Sequence, residues 1–178
     1  MTKLSWMLAG LTACWLAIGG AASSGPGRYV GADEFLYGAF SGDVPASAVL
    51  WVDKALRDAI ENTLGHRFDA LRVRYWRDDA RSAWILNEIG KEQPITIGVI
   101  VADGAIETVR VLEFREARGW EVRYPFFTDQ FAGVRLADSR RIERANYGIN
   151  RATRSVAAVT RAAKLALILH ARTEPPHS

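Results

Sequence analysis

The stretch Tyr147-Gly148-Ile149-Asn150-Arg151-Ala152-Thr153-Arg154-Ser155 joins a strand-rich segment to the last helix of the chain. Asn150 belongs to the residue types that cap helix N-termini well, and the sequence from Ala152 to Arg172 predicts a helix. The stretch therefore marks the point where the predicted sheet ends and the closing helix begins.

The first turn of this helix has the composition of an anion site. Thr153 and Ser155 fall where free backbone N–H groups and the positive end of the helix dipole favour a negative charge. Arg151 and Arg154 add forked cations whose geometry suits phosphate oxygens. The residues predict a phosphate site, with a capped helix that has a solvated basic start as the alternative.

Upstream of this stretch, the pattern is that of an antiparallel meander. The strongest strand signal is Ile95 to Val101, and Asp103-Gly104 is a hairpin turn signal after which Ile106 to Arg115 forms the returning strand. Alternation over Leu71 to Trp76 predicts a half-buried strand, and Trp84 to Ile89 predicts another.

A helix is predicted before the meander. It opens at Pro45 or Ser47 and ends at Leu64, with Gly65 as the C-terminal stop. The fold class is therefore predicted to be α+β, an antiparallel sheet or meander packed by an N-terminal and a C-terminal helix.

The first 22 residues have the pattern of a targeting segment. Lys3 precedes an apolar run from Leu4 to Ile18, and small residues near Ala22 offer a cleavage site. Two alternatives remain: an uncleaved membrane anchor over residues 4–22, or a lipoprotein modified at Cys14. All three predict a periplasmic or otherwise extracytoplasmic domain.

The remaining boundaries follow from composition. Residues 23–45 predict a linker or irregular arm, residues 46–172 the folded domain, and residues 173–178 a disordered tail. The net charge of +3 over 178 residues is mild, and acidic residues alternate with basic ones, so no nucleic-acid-binding surface is predicted.

Several chemistries have no support in the sequence. Cys14 is the only cysteine, so the domain has no thiol nucleophile, disulfide or iron–sulfur ligand. The three histidines (His66, His170 and His177) lack metal-ligand spacing. No hydrolase triad order, Walker motif or dinucleotide-binding glycine motif is present, and no catalytic residue is predicted.

The opening stretch resembles the attachment motif of FMN-binding domains. These domains occur in flavin-carrying subunits of the sodium-pumping NADH:quinone oxidoreductase, in Rnf complexes and in related periplasmic flavoproteins. The family pattern is Asp-Gly-x-Ser/Thr-Gly-Ala-Thr, often followed by x-Ser. The matching residues are Gly148, Ile149, Ala152, Thr153 and Ser155.

The resemblance implies that the phosphate of FMN is held at Thr153, which carries a covalent ester in the family. Three positions depart from the pattern: Tyr147 replaces Asp, Asn150 replaces Ser/Thr, and Arg151 replaces Gly. Because a flavin transferase reads this motif, the departures favour non-covalent FMN over the ester. Gly148, Ala152, Thr153 and Ser155, together with Asn150, Arg151 and Arg154, are the predicted cofactor-binding residues here.

Two other segments resemble the same family. Glu116 and Gly119 match part of its Glu-Thr-Pro-Gly loop, and the segment from Tyr124 to Gly133 is similar to its aromatic region. Phe127 is predicted to stand beside the flavin ring, with core packing as the alternative.

The last helix also carries a predicted basic face. Arg154, Arg161 and Arg172 fall on one side, with Lys164 close by. A solvated face is one interpretation, and docking to an acidic redox partner or anionic lipid is the other.

The sequence thus predicts an extracytoplasmic FMN-binding electron carrier or oxidoreductase subunit, working with a membrane redox protein and with a flavin transferase if it is modified. The alternatives are a flavin-free structural or assembly partner of a membrane redox system, and a module that binds another phosphorylated ligand.

Overall fold

A five-stranded antiparallel sheet is the centre of the fold in the computed structural model, which describes residues 30–79, 81–138 and 153–173. The strands are β1 (Ala48–Trp51), β2 (Arg72–Arg77), β3 (Arg81–Ile89), β4 (Pro94–Ala102) and β5 (Ala105–Phe114). Each strand pairs with the next along the chain, so the sheet is a meander.

Helices cover this sheet. They are α1 (Ala32–Ala39), α2 (Lys54–Leu64), the short α3 (Pro125–Thr128) and α4 (Thr153–Thr173). Single 3-10 turns lie at Trp120–Arg123, Asp129–Phe131 and Leu136–Asp138. The predicted α+β class is confirmed.

The β4–β5 hairpin forms where the sequence predicts it. Asp103 and Gly104 both have positive φ, 50° and 70°, a two-residue turn whose backbone twist matches that of the flanking strands. Buried β-branched pairs such as Val99 and Val109 face each other across the two strands and stabilise the pair by packing.

The sheet carries buried residues on both faces. On β3, Trp84 and Leu86 point to one side and pack with α2 and α4. Ala83 and Ile85 point to the other side and pack with α1, because alternate residues of a strand face opposite ways. The described part of the chain therefore forms three layers, with α1 on the outer face of the sheet.

The prediction of one helix from Pro45 or Ser47 to Leu64 is wrong in its first part. The first part of the predicted helix contains strand β1, and α2 starts only after Asp53. The Asp53 carboxylate accepts the Leu56 N–H at 2.7 Å, an N-cap that fixes the helix start. The predicted stop is confirmed, since Gly65 is left-handed at φ 72°.

The predicted linker and tail also need correction. Residues 23–45 include α1, whose Phe35 and Leu36 are buried against the outer face of the sheet. A Cβ at Gly98 would lie 2.7 Å from the Phe35 ring, so the glycine lets α1 approach. Thr173, assigned to a disordered tail, is the last residue of α4, and its hydroxyl donates to the His170 carbonyl oxygen at 2.8 Å.

Two long-range contacts fix the direction of α4 on the sheet. Near its C-terminal end, His170 Nδ1 lies 2.7 Å from Ser82 Oγ at the start of β3. Nearer its N-terminal end, Arg161 Nε donates to Glu88 at 2.8 Å, close to the end of β3. α4 therefore runs antiparallel to β3, and its first turn points toward the β3–β4 turn and the end of β5.

Within the described ranges, no helix is both long and apolar enough to cross a bilayer. The targeting segment, residues 1–22, and its alternatives, including lipidation at Cys14, lie outside those ranges.

Candidate functional site

The start of α4 and the chain after β5 meet at one end of the sheet. Thr153 precedes Arg161 by about two helical turns, roughly 12 Å at 1.5 Å per residue. The 3-10 turn Trp120–Arg123 follows β5 at this same end and packs against α4, with Val122 fully buried between them. The described first turn of α4 and the predicted flavin loop therefore lie at the same end of the sheet.

The predicted phosphate residues are described only in part. Gly148, Asn150, Arg151 and Ala152 lie outside the described residues, and Tyr147 does too.

The first turn of α4 is described. Thr153 is its first residue, Arg154 is exposed, and Ser155 is buried. This turn contains no acidic residue. Arg154 therefore stands at the positive end of the helix dipole, where a cation is unfavourable and a bound anion is favourable.

Glu116 closes the β3–β4 turn onto the chain that follows β5. Its Oε1 accepts the backbone N–H groups of Glu92 at 2.7 Å and Gln93 at 3.0 Å, and also that of Lys91. Partial burial works to raise the pKa of this carboxyl, but the three N–H donors together hold the pKa below its ordinary value. The carboxylate thus has a role in the fold that needs no flavin.

Gly119 sets the direction of the chain as it enters the 3-10 turn. Its φ of 88° is left-handed, a conformation that favours glycine, and Trp120 begins the turn immediately after it. Glu116 and Gly119 together shape the loop that the sequence associates with the flavin.

Phe127 lies in the core. Its ring is fully buried and meets Phe131 edge to face, with the centroids 5.3 Å apart and an interplanar angle of 79°. The side chain of Phe127 therefore fits the alternative interpretation, core packing. The neighbouring ring of Phe126 is 59% exposed to solvent.

Three exposed aromatic rings form a cluster at the same end of the sheet. Trp120 meets Tyr124 edge to face at 5.5 Å, and Tyr124 stacks on Phe126 at 6.1 Å. The Arg123 guanidinium lies over the first two rings, 5.3 and 5.1 Å from their centroids. We call these four residues the aromatic–arginine cluster. Cation–π and ring–ring contacts stabilise the packing of their side chains against one another.

One cleft adjoins this cluster through Trp120, and a second cleft shares Arg118 with the first. The first, of about 590 Å³, is lined by Arg118, Gly119, Trp120 and Glu121. The other, of about 460 Å³, lies between residues 91–93 and 115–118. Both volumes fall in the range of roughly 300–1,000 Å³ typical of small-molecule sites.

Trp120 and Glu121 are not among the cofactor-binding residues predicted from the sequence, and Tyr124 enters that prediction only as part of the aromatic segment from Tyr124 to Gly133. The one available signal was the Gly119 turn, which places the next residues in a tight 3-10 turn with one side chain, Val122, in the core. Which aromatic rings remain exposed depends on tertiary packing and has no signature in the local sequence.

The predicted basic face of α4 is not a simple solvated face. Arg161 points to the sheet, where it binds the buried carboxylate of Glu88 and the Ile89 carbonyl oxygen, each at 2.8 Å. Arg172 donates to Asp53 at 2.6 Å. Two of the predicted free cations are therefore paired with carboxylates.

A serine–histidine contact occurs in the core. Trp84 Nε1 donates to Ser82 Oγ at 2.7 Å, and Ser82 Oγ lies at the same distance from His170 Nδ1. All three side chains are almost fully buried. The contact therefore ties α4 to β3 and offers no nucleophile to a substrate.

Comparison of the chain with known protein families, curated proteins and solved structures found no match in any of the three. Among the described side chains, no group of three or more His, Cys, Asp or Glu residues is arranged to hold a metal ion.

Proposed function

We propose that this chain is an extracytoplasmic FMN-binding protein that transfers electrons to or from a membrane redox partner. The observation that carries the proposal is that the start of α4 and the loop containing Glu116 and Gly119 lie at the same end of the sheet. These two regions carry the separate resemblances to FMN-binding domains, and they are far apart in the sequence.

The charge at the α4 start supports a phosphate ligand. An exposed Arg154 in a first turn without acidic residues places a cation beside the positive dipole end. Such an arrangement is unfavourable by about 0.3–1 kcal/mol unless an anion is bound. A phosphate held by the N–H groups of this turn removes that repulsion and adds charge-assisted hydrogen bonds.

The surroundings also suit a flavin that exchanges electrons. The isoalloxazine ring itself carries the redox chemistry, so the protein has to hold the phosphate, shelter part of the ring and leave an edge accessible. The exposed aromatic–arginine cluster and its clefts provide flat apolar surface next to solvent. The predicted targeting segment supports an extracytoplasmic location.

Binding of FMN tests this function directly. The apoprotein should bind FMN, measured by quenching of flavin fluorescence or by calorimetry, and Arg151→Gln/Arg154→Gln should weaken binding by about 2–4 kcal/mol, or roughly 30- to 1,000-fold in Kd. Arg172→Gln, at the other end of α4, is the matched control and should leave the Kd unchanged. An apoprotein with no FMN affinity would overturn the proposal.

The mode of attachment has its own test. We propose that FMN is bound without an ester, because Arg151 stands where the family has glycine. A denaturing gel of protein made beside an exported flavin transferase should then show a dark band. Tyr147→Asp/Asn150→Ser/Arg151→Gly should turn that band fluorescent, and Thr153→Ala should abolish the new fluorescence. A wild-type band that is already bright, and that Thr153→Ala darkens, would refute non-covalent binding.

A further inference from the structure

One carboxylate oxygen of Glu121 has no hydrogen-bond partner among the residues that the structure describes. This oxygen, Oε2, is shielded from solvent and receives no hydrogen bond from any side chain or backbone group in the described ranges. A buried acceptor that lacks a donor costs free energy comparable to a lost hydrogen bond, and native proteins contain few of them. The residue is therefore placed to receive a donor that the described part of the protein does not supply.

The position of Glu121 indicates what kind of donor this is. The residue lines the 590 Å³ cleft together with Gly119 and Trp120, and the exposed rings of the aromatic–arginine cluster border it. Flat aromatic surface beside one isolated acceptor fits a planar heteroaromatic ring that has an N–H group on its edge.

We propose that this cleft binds the isoalloxazine ring of the flavin, with Glu121 accepting a hydrogen bond from its imide N–H and Trp120 lying against the ring. This inference rests on the FMN-binding function proposed above and adds the determinant of ring specificity. The first turn of α4 would select a ligand that carries a phosphate, and Glu121 would select a ring that carries an imide N–H donor.

In this proposal, different residues bind the phosphate and the ring of the ligand. The 3-10 turn that carries Glu121 packs against α4, and the first turn of α4 points toward the same end of the sheet. Arg154 acts on the phosphate, whereas Glu121 and Trp120 act on the ring. Loss of a ring contact should therefore affect phosphate-free flavins as much as FMN.

The test compares riboflavin with 3-methylriboflavin. Both compounds lack the phosphate, and 3-methylriboflavin also lacks the imide N–H donor. The full-length apoprotein should prefer riboflavin roughly tenfold or more, as expected for a hydrogen bond to a charged acceptor. Glu121→Ala should reduce that preference to less than about twofold. Glu92→Gln, which alters an exposed carboxylate paired with Lys91 near the adjoining cleft, is the control and should retain the full preference.

A second pair of variants tests the ring contact. Trp120→Ala should weaken the binding of riboflavin and of 3-methylriboflavin roughly equally, because the Trp120 side chain would contact the face of the flavin ring and not its N–H edge. Trp51→Ala removes another exposed tryptophan and should change neither affinity. Trp51 lies on β1, the edge strand about 19 Å from β5 at four strand spacings.

The outcomes separate the two proposals. If the wild type binds FMN but does not distinguish riboflavin from its 3-methyl form, or if Glu121→Ala retains the distinction, the ring assignment is overturned and the FMN-binding function stands. If the wild type binds no flavin at all, the proposed function fails and this inference fails with it.

Discussion

Replacing Arg161 by Met should destabilise the protein substantially, because it leaves the Glu88 carboxylate buried without its main cation. Glu88 is 3% exposed and Arg161 24% exposed, and Nε donates to Oε2 at 2.8 Å. Breaking a fully buried pair costs roughly 3–5 kcal/mol. His66 Nε2 remains 3.2 Å from the same carboxylate oxygen, and Arg161 is partly solvated, so we expect a loss of about 2–4 kcal/mol.

Urea denaturation followed by tryptophan fluorescence and circular dichroism measures this loss. Arg172→Met is the matched control: Arg172 lies on the same helix and binds Asp53, but about half of each side chain is exposed, so its midpoint should move much less. Glu88→Leu/Arg161→Met should recover much of the stability lost in the single variant, because both charges are gone. An Arg161→Met midpoint as close to wild type as that of Arg172→Met would refute this reasoning.

Three further predictions concern the frame of the site. Ser82→Ala should cost about 1–3 kcal/mol in urea denaturation, because the buried Trp84 N–H loses its acceptor; no change would mean that this hydrogen bond contributes little. Gly98→Ala should loosen α1, because the new Cβ would meet the Phe35 ring, and proteolysis within α1 should become faster than in wild type. Glu116→Gln should destabilise the protein at neutral pH but not in acid. The lowered pKa of Glu116 means that its contribution is present above the ordinary carboxyl pKa of about 4.3 and is lost as the pH falls through the folded value; an equal difference at pH 7 and pH 2.5 would contradict it.

The β4–β5 hairpin shows what the local sequence can predict. A continuous apolar run, a turn dipeptide that tolerates positive φ, and a second run of matching length specify strand, turn and strand without reference to the rest of the chain. Asp103 and Gly104 have the expected backbone, and the residues from Thr153 onward form the closing helix that the sequence predicts.

The region before α2 shows where local pattern fails. Val49, Val52 and Leu56 follow helical spacing, yet Val49 lies on a strand. Two signals favoured the observed structure: the β-branched valines, and Asp53, which caps the helix three residues before Leu56. The spacing was compatible with both structures, and pairing of β1 with β2 decided between them.

Contacts between distant parts of the chain could not be predicted from local sequence. Glu88 and Arg161 are separated by 73 positions, and neither has a neighbour in the sequence that indicates the other. The choice between Phe126 and Phe127 is similar, because one step along a short helix exchanges a buried ring for an exposed one.

The helix α4 is anchored along its length, which bears on the anion binding that we propose at its first turn. Its inward face is rich in alanine, including Ala162, Ala163 and Ala166, all fully buried, and small side chains let the helix lie close to the sheet. The Arg161–Glu88 pair and the His170–Ser82 contact then fix its position along β3. An anion bound at Thr153 would consequently interact with a helix end that is already oriented. The entropic cost of ordering the site on binding would therefore be small. The three departures from the pattern of FMN-binding domains bear mainly on the ester, because ester formation in that family depends on recognition of the motif by a second enzyme. The non-covalent binding that we propose would depend instead on the placement of N–H groups and cations.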